Sequence, residues 1–325
     1  MKKIAFVLAL CCLFYAQGFA KTKVAVVGGM WPVPNMLSVY TDAEIIYMPR
    51  SGLIEDSVVL DFFPKLREIK KGANSDNDNI EELLLLKADL YICHQANVKI
   101  CGALKKAGVE LIELGVNVDN YNFKKALESW IFQLEKYFPI KEKNQKLIAE
   151  IERIQKDIAQ RIEGKTKPRV LIVRQYSEKN ISPGFYADYF YKQSGAANSY
   201  DFKANGSINL EEVYKLNPEV IFISNFTPLM PQDLYDDKKW QGLQAVKDKR
   251  VYKVPLGSYR AFAPNLDFGP FLLYLAQKNY PDAFRDMDIK EVYKEHFKTF
   301  FNLELSEEQL ERVFNPTPIQ GTIKQ

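Results

Sequence analysis

Arginine, aromatic and histidine side chains come directly after several apolar segments of this sequence, where a strand would end. They are Trp31, Arg50, His94, Arg174, Tyr176, Phe226, Tyr259 and Arg260. Arginine stays charged and presents a planar fork of donors to carboxylate or phenolate oxygens, and aromatic rings stack on planar organic groups. The set therefore indicates a site for an anionic organic molecule. A metal carried by that molecule could take Tyr259 or His94 as a direct ligand.

Each of these residues also has a purely structural interpretation. Trp31 could be a core residue beside Pro32 and Pro34, the arginines could be ordinary surface charges, and His94 could be a polar loop residue. Both interpretations stay open from the sequence alone. Four other aromatic residues are interpreted as packing residues: Trp130, Phe185, Tyr186 and Trp240.

Common enzyme motifs are absent from the sequence. It contains no G-x-S-x-G, no G-x-x-x-x-G-K-[ST] and no H-E-x-x-H segment. Gly28-Gly29 loosely resembles a dinucleotide-binding loop but lacks the third glycine, and we expect Pro32 and Pro34 to break the helix that would hold a phosphate. The two histidines are too few for a metal cage built from imidazoles. We therefore expect neither catalysis nor a resident cofactor, and a secreted enzyme is the less favoured alternative.

The composition is that of a soluble globular protein. The 325 residues are 47% hydrophobic and 26% charged, which excludes a mostly disordered chain. The 44 basic and 41 acidic residues give a formal charge of +3, without the basic excess that nucleic-acid binders usually show. We expect no nucleic-acid partner, and we expect a monomer.

The N-terminal segment has the pattern of a secretory signal peptide. Two lysines precede an apolar run over residues 4–15, and the small residues Gly18 and Ala20 suit a cleavage site. Such a run is too short to span a hydrocarbon layer of ~30 Å. The pattern predicts removal of residues 1–20 and export to the periplasm.

The four cysteines fall into two pairs. Within the signal segment, Leu10 precedes Cys11, which is a poor match to a lipoprotein signal, so a lipid anchor is not favoured. Cys93 and Cys101 remain in the mature chain and could pair in an oxidising compartment or stay as buried thiols. The sequence alone does not give their separation.

Short apolar strands alternate with helices in both halves of the mature chain, which is typical of parallel α/β sheets. The predicted strands are residues 23–27, 43–48, 89–93, 109–114, 169–174, 219–224 and 251–254. Between the halves, an apolar stripe through Leu147, Ile151, Ile154 and Ile158 predicts one long helix. The sequence therefore predicts two Rossmann-like lobes joined by a long backbone helix, with the ligand cleft between the lobes.

The expected organisation of the chain has four parts. They are a signal peptide at 1–20, an N-terminal α/β lobe at 21–120, a helical linker with the backbone helix at 121–166, and a C-terminal α/β lobe at 167–325.

Four motifs resemble those of the class III, helical-backbone substrate-binding proteins of ABC importers. Residues 217–223 resemble the family's N-P-D-V-I-I-I strand, and residues 239–255 resemble its W-x-x-L-x-A-V-K-x-G-R-V-Y-x-V-P run. Leu275-Ala276 with residues 280–284, and then residues 305–310, resemble its last helices. The family includes binders of vitamin B12, haem and ferric siderophores.

The resemblance implies a ligand and a partner. A ferric siderophore is the expected ligand, with haem, cobalamin or a nickel or cobalt chelate as alternatives. The expected partner is the permease of an ABC importer. In the family, one acidic residue on each lobe contacts this permease. Those positions match Glu81 and Glu211 here, although both would also favour a helix N-terminus electrostatically.

Overall fold

The computed structural model describes residues 21–55, 57–73, 76–177, 180–197 and 206–318. The predicted signal peptide, residues 1–20, lies outside them. Within these ranges, no helix combines the length and the apolar character that a membrane crossing requires.

The first lobe is built on a parallel sheet. Its strands are β1 (Lys23–Val26), β2 (Glu44–Pro49), β3 (Lys70–Gly72), β4 (Leu90–His94) and β5 (Leu111–Leu114). They are arranged in the order β3-β2-β1-β4-β5. Its helices are α1 (Val33–Tyr40), α2 (Val59–Phe62), α3 (Ile80–Leu85) and α4 (Val98–Lys106). The central strands β1 and β4 are apolar and buried, as expected for a sheet covered on both faces.

Helix α1 corrects one expectation from the sequence. We expected Pro32 and Pro34 to prevent a helix after the first strand, but α1 begins at Val33 with Pro32 at its N-cap. Proline is tolerated in a first helical turn because the N–H that it lacks has no partner within the helix there.

Two helices connect the lobes. They are α5 (Phe123–Leu134) and the long α6 (Lys141–Arg161). The buried residues of α6 include Leu147, Ile151, Ile154 and Ile158, which is the stripe seen in the sequence.

The second lobe contains a smaller parallel sheet and a hairpin. Its strands are β6 (Val170–Val173), β7 (Gln175–Tyr176), β8 (Ile181–Ser182), β9 (Val220–Ile223) and β10 (Val251–Lys253). The parallel sheet has the order β10-β9-β6, while β7 and β8 pair antiparallel. Its helices are α7 (Ala187–Gln193), α8 (Leu210–Leu216), α9 (Pro231–Asp236) and α10 (Gln244–Lys247).

The C-terminal helices pack on α6 and reach the first lobe. They are α11 (Phe268–Asn279), α12 (Ile289–His296) and α13 (Glu307–Phe314), and Phe297–Phe301 form a π-helical turn. Short 3-10 turns lie at Arg50–Gly52, Pro64–Arg67 and Pro281–Phe284. Gly269 lets α11 approach α6 closely, because a Cβ there would lie 3.0 Å from Ile154 Cδ1. Arg312 of α13 forms an ion pair with Asp61 of the first lobe.

One continuous apolar core runs from the first sheet through α6 to the second lobe. The predicted fold class, two Rossmann-like lobes on a long backbone helix, is confirmed.

The packing of α6 leads to a stability prediction. Ile151 is fully buried, so Ile151→Ala should lower the free energy of unfolding by about 2–5 kcal/mol through lost burial and a residual cavity. Urea unfolding followed by circular dichroism measures this change. The exposed Lys156→Ala on the same helix should change it by less than about 0.5 kcal/mol. Equal losses in the two variants would contradict the proposed packing role of α6.

Candidate ligand-binding cleft

A cavity of about 930 Å³ lies between the two lobes. The segments that follow β1, β4 and β5 line one side, and those that follow β6, β9 and β10 line the other. Ligands of open α/β sheets bind outside the carboxyl ends of the strands, and both sheets present that edge to this cavity.

Five of the predicted site residues line the cavity: Trp31, His94, Arg174, Phe226 and Tyr259. Arg260 is fully buried directly behind this wall, where it contacts Tyr259 and Phe226. Arg50 is exposed in a 3-10 turn and is not among the lining residues. Tyr176 lines an adjacent recess rather than the main cavity.

Two guanidinium groups lie against the same aromatic ring. The Cζ atoms of Arg174 and Arg260 are 4.1 Å and 5.1 Å from the centroid of Phe226. Arg174 is also 5.4 Å from the ring of Phe185. Cation–π attraction therefore helps to hold both cations at the wall of the cavity.

These two arginines lack counter-charges in the part of the chain that the structure describes. Arg260 Nη1 donates to the Tyr259 hydroxyl at 3.1 Å, but Arg260 Nε and Nη2 and Arg174 Nε are buried without hydrogen-bond partners. Neither guanidinium forms an ion pair with a described carboxylate. Burying a charge without a partner costs several kcal/mol. Such an arrangement suits an anion that enters from outside the protein.

Burial also sets the protonation of the groups in the cavity. It lowers the pKa of Arg174 to about 10, where Tyr259 opposes the shift and Arg260 adds to it. Burial raises the pKa of the Tyr259 phenol, opposed by both arginines. At neutral pH Arg174 therefore remains a cation and Tyr259 keeps its proton. The Tyr259 hydroxyl donates to Ser51 O at 3.4 Å.

His94 is a neutral hydrogen-bonding group in this arrangement. Burial lowers its pKa below the usual value of 6.5. Its Nδ1 accepts the backbone N–H of Ala96 at 3.0 Å, which leaves Nε2 to carry the proton. His94 in this tautomer presents an N–H donor, and direct metal binding through Nε2 would require the proton to leave.

Asp267 anchors the loop that carries Tyr259 and Arg260. Its carboxylate accepts hydrogen bonds from the backbone N–H of Ser258, at 3.1 Å, and from the Ser258 hydroxyl. A side chain at Gly257 would place its Cβ 1.9 Å from Asp267 Oδ2, so any larger residue would displace this carboxylate. Burial raises the pKa of Asp267, and the hydrogen bonds from Ser258 oppose that shift.

A polar recess of about 330 Å³ adjoins the cavity. It shares Arg174 and Gln175 with the main cavity, and Tyr176, Asn180 and Ser182 form much of its remaining wall. The cleft thus combines an aromatic, cationic chamber with a neighbouring space lined by hydroxyl and amide groups.

A disulfide between Cys93 and Cys101 closes the loop that carries His94 and Asn97. This decides the alternative that the sequence left open. The Oδ1 atom of Asn97 accepts the Gly29 N–H at 3.0 Å and so ties this loop to the one after β1.

Other lining residues were not selected from the sequence: Asn97, Val116, Phe262 and Ala263. Asn97 follows a strand, so the rule that selected His94 and Arg174 could also have selected it. Trp130 and Phe185, interpreted as packing residues, line the cavity as well. Trp130 is only 1% exposed and donates to Gly115 O at 2.8 Å, so it also serves the core.

Comparison with known proteins identifies the family. A family model described as "Periplasmic binding protein" matches residues 52–256. The molybdate-binding protein MolA of Haemophilus influenzae is 21% identical over 263 residues, which cover 73% of this chain and 74% of that protein.

Solved structures share the fold. A periplasmic solute binding protein from Veillonella parvula DSM 2008 has a TM-score of 0.78 and 24% identity, over 91% of this chain and 92% of that chain. CeuE of Helicobacter pylori, solved with Ni(II) bound, has a TM-score of 0.69 and 23% identity, over 91% of this chain and 95% of that chain.

This chain belongs to the periplasmic binding protein family. Its fold is that of the class III binding proteins of ABC importers, as the motifs implied. Its relatives are substrate-binding proteins rather than enzymes, and the family is periplasmic.

Arg260 has no carboxylate partner among the described residues, and this leads to a second prediction. Arg260→Met replaces a buried cation by an apolar chain of similar length, so the free energy of unfolding of the ligand-free protein should rise by about 2 kcal/mol. Thermal and urea unfolding measure the change. Arg285→Met, at an exposed position, is the matched control and should be nearly neutral. A destabilised Arg260→Met protein would instead mean that Arg260 is fully compensated within the fold.

Proposed function

We propose that this protein binds an anionic organic metal chelate, with a ferric siderophore as the first candidate, and delivers it to an ABC importer. The observation that carries the proposal is the pair of buried guanidinium groups, Arg174 and Arg260, without carboxylate partners among the described residues, at the wall of a large interlobe cavity. An anionic ligand would supply the missing acceptors, and its binding energy would offset the cost of burying the two cations.

The size of the cavity supports a chelate over a bare oxyanion. Pockets of roughly 300–1,000 Å³ typically hold drug-sized molecules, and this cavity of about 930 Å³ lies near the upper end. Trp31, Phe185 and Phe226 supply apolar faces on which a planar ligand could stack. A small tetrahedral oxyanion would leave most of these faces exposed to water.

The polar recess supports a ligand with more than one kind of surface. An anionic metal centre would lie against Arg174 and Tyr259, and a hydroxyl-rich or amide-rich arm would extend toward Asn180 and Ser182. Ferric siderophores combine anionic donor groups with such a scaffold. Metal binding by Tyr259 or His94 remains a proposal, and His94 fits better as a hydrogen-bond donor in the tautomer that the structure favours.

Molybdate is the second candidate. It rests on Arg174 and Arg260, which have no carboxylate partner in the part of the chain that the structure describes and would bind any compact dianion. It also rests on the molybdate-binding relative from Haemophilus influenzae. Haem, cobalamin and nickel or cobalt chelates stay as alternatives within the chelate class, and the Helicobacter pylori neighbour was solved with nickel.

Ligand titration tests the proposal. Ferric siderophores, haem, cobalamin, nickel–histidine and molybdate are added separately, and tryptophan fluorescence and melting temperature are followed. A ligand at 100 times its Kd should stabilise the protein by about 2.7 kcal/mol. Arg174→Met should weaken binding of an anionic chelate by at least about tenfold, because it removes a charge-assisted contact. Arg260→Met should weaken it as well, because it removes a positive charge directly behind the wall of the cavity.

Arg50→Met is the matched control, because Arg50 is an exposed arginine outside the cavity. Its affinity should equal that of the unchanged protein. If the protein binds molybdate but none of the chelates, molybdate replaces the ferric siderophore as the proposed ligand. If Arg174→Met, Arg260→Met and Arg50→Met all bind the ligand as tightly as the unchanged protein, the anion site is ruled out.

The proposed permease contacts are Glu81 on the first lobe and Glu211 on the second. Neighbouring glutamates are already engaged, because Glu82 pairs with Lys70 at 3.0 Å and Glu212 closes the capping box of α8. Glu211 is exposed and pairs only with Lys215 of its own helix among the ion pairs of the described residues, at 3.3 Å. Exposed carboxylates on both lobes could set the docking register through charge complementarity.

Charge reversal tests the docking proposal. Glu81→Lys with Glu211→Lys should abolish uptake of the ligand in cells while leaving the Kd of the purified protein unchanged. Glu308→Lys is the control, because it reverses an exposed charge in the first turn of another helix. If Glu308→Lys impairs uptake equally, the effect comes from helix electrostatics rather than docking. A change in Kd for the double variant would also remove the assignment.

A further inference from the structure

Lys253, the last residue of β10, is a buried lysine that points its ammonium group into a loop of the cleft. Only 7% of the residue is exposed. Its Nζ donates to three backbone carbonyls: Ser224 O at 2.9 Å, Thr227 O at 2.6 Å and Leu229 O at 2.9 Å. All three acceptors belong to the segment between β9 and α9, residues 224–230, here called the Phe226 loop. An ammonium group has three N–H donors, so this site uses all of them.

The Phe226 loop connects Lys253 to both arginines of the cleft. Phe226 is the ring on which the guanidinium groups of Arg174 and Arg260 lie. The hydroxyl of Ser224 donates to Arg174 O at 2.8 Å and accepts the Phe226 N–H at 3.1 Å. Displacement of this loop would therefore move the ring and loosen the support of both cations.

We propose that Lys253 is a positioning residue for ligand binding: its ammonium group fixes the Phe226 loop and thereby the orientation of Arg174 and Arg260. The proposal rests on the proposed function, because it assumes that the ligand is an anion held by those arginines. Lys253 does not line the cavity, so it would act through the loop rather than by contact with the ligand.

The surroundings of Lys253 predict a pH dependence. Burial lowers the pKa of Lys253 to about 8, and Asp233 of α9 opposes the shift. A neutral amine has two N–H donors for three carbonyls, so the loop loses a hydrogen bond above that pH. The protonated form holds the loop, and affinity for an anion should therefore fall as the pH rises through about 8.

Other titratable groups near β10 behave differently. The hydroxyl of Tyr274 on α11 lies 3.5 Å from Lys253 O, and that of Tyr235 on α9 donates to Val251 O. Burial raises the pKa of both phenols, so they stay protonated in mildly basic solution. Burial lowers the pKa of Lys278, whose Nζ lies 5.5 Å from the Tyr274 ring centroid. Lys278 has no contact with the Phe226 loop among the hydrogen bonds of the described residues.

The effect on folding has the opposite sign from the effect on binding. Between about pH 8 and pH 10.5 the unfolded chain binds a proton at this lysine that the folded protein has released. The contribution of Lys253 to the free energy of unfolding therefore rises with pH in that window. A purely structural role would make stability and affinity change together, so the two pH profiles distinguish positioning from general stabilisation.

The experiment compares Lys253→Met and Lys253→Arg with the unchanged protein. Affinity for a hexadentate ferric tris-catecholate and for molybdate, whose charges stay constant, is measured by tryptophan fluorescence at about pH 7 and about pH 9. The higher pH lies above the pKa of Lys253, about 8, and below that of Arg174, about 10. The unchanged protein should lose about tenfold in affinity, the worth of one charge-assisted hydrogen bond. Lys253→Met should bind both probes weakly at both pH values. A folded Lys253→Arg should lose no affinity between them, because a guanidinium group keeps its charge up to about pH 9.

Lys143→Met is the matched control. Burial lowers the pKa of Lys143 to about 8 as well, but its Nζ donates to Tyr40 O, outside the cleft. This variant should keep the pH profile of the unchanged protein. If Lys253→Met retains the original affinity and pH step, or if Lys143→Met loses the step, the proposal is overturned.

A measurement without ligand separates this proposal from the proposed function. Trp31 and Phe226 pack in the same apolar cluster, so tryptophan fluorescence reports on the loop in the ligand-free protein. A fluorescence step near pH 8 that disappears in Lys253→Met supports the positioning role even if neither probe binds. If the unchanged protein shows no fluorescence step near pH 8, the positioning role of Lys253 is overturned, whatever the ligand is.

Discussion

The cost of holding two guanidinium groups in a low-dielectric wall, where no carboxylate of the described residues pairs with them, governs the organisation of the cleft. Arg174 and Arg260 share the ring of Phe226, and Arg260 is also held by Tyr259. These contacts fix the cations but leave buried N–H donors unsatisfied among the described residues. A protein that only had to be stable would replace such cations by apolar side chains. Their retention is understandable if the ligand completes the electrostatics.

Backbone contacts around the cleft serve this arrangement. Asp267 holds the loop of Tyr259 and Arg260 through Ser258, and Lys253 holds the loop of Phe226 through three carbonyls. Both supporting side chains are polar and buried. Charge-assisted hydrogen bonds to backbone atoms can place a loop more firmly than apolar contacts, because they are directional and costly to break once buried.

The lobes are held at a defined separation by the long helix α6 and the C-terminal helices. His296 lies 2.8 Å from Glu150 of α6 through Nδ1 and 3.1 Å from Leu266 O through Nε2. Both neighbours are hydrogen-bond acceptors, so each ring nitrogen of His296 has a polar partner. Together with the ion pair between Arg312 and Asp61, these contacts tie the second lobe to the backbone helix and to the first lobe.

The sequence by itself determined the α/β elements and the backbone helix, because period-2 and period-3.6 patterns and turn residues act over short distances. It indicated the family through the resemblance of four motifs to those of class III binding proteins. It also selected strand-end residues such as His94, Arg174 and Tyr259. Only the tertiary structure decided that Arg260 is buried at the cleft while Arg50 is exposed outside it, since both follow strands in the sequence. Only the tertiary structure showed that Lys253 is buried under the Phe226 loop, because in the sequence it is an ordinary strand residue. Only the tertiary structure showed that Cys93 and Cys101 form a disulfide. Burial and pairing depend on segments far apart in the chain, and local patterns do not encode those distances.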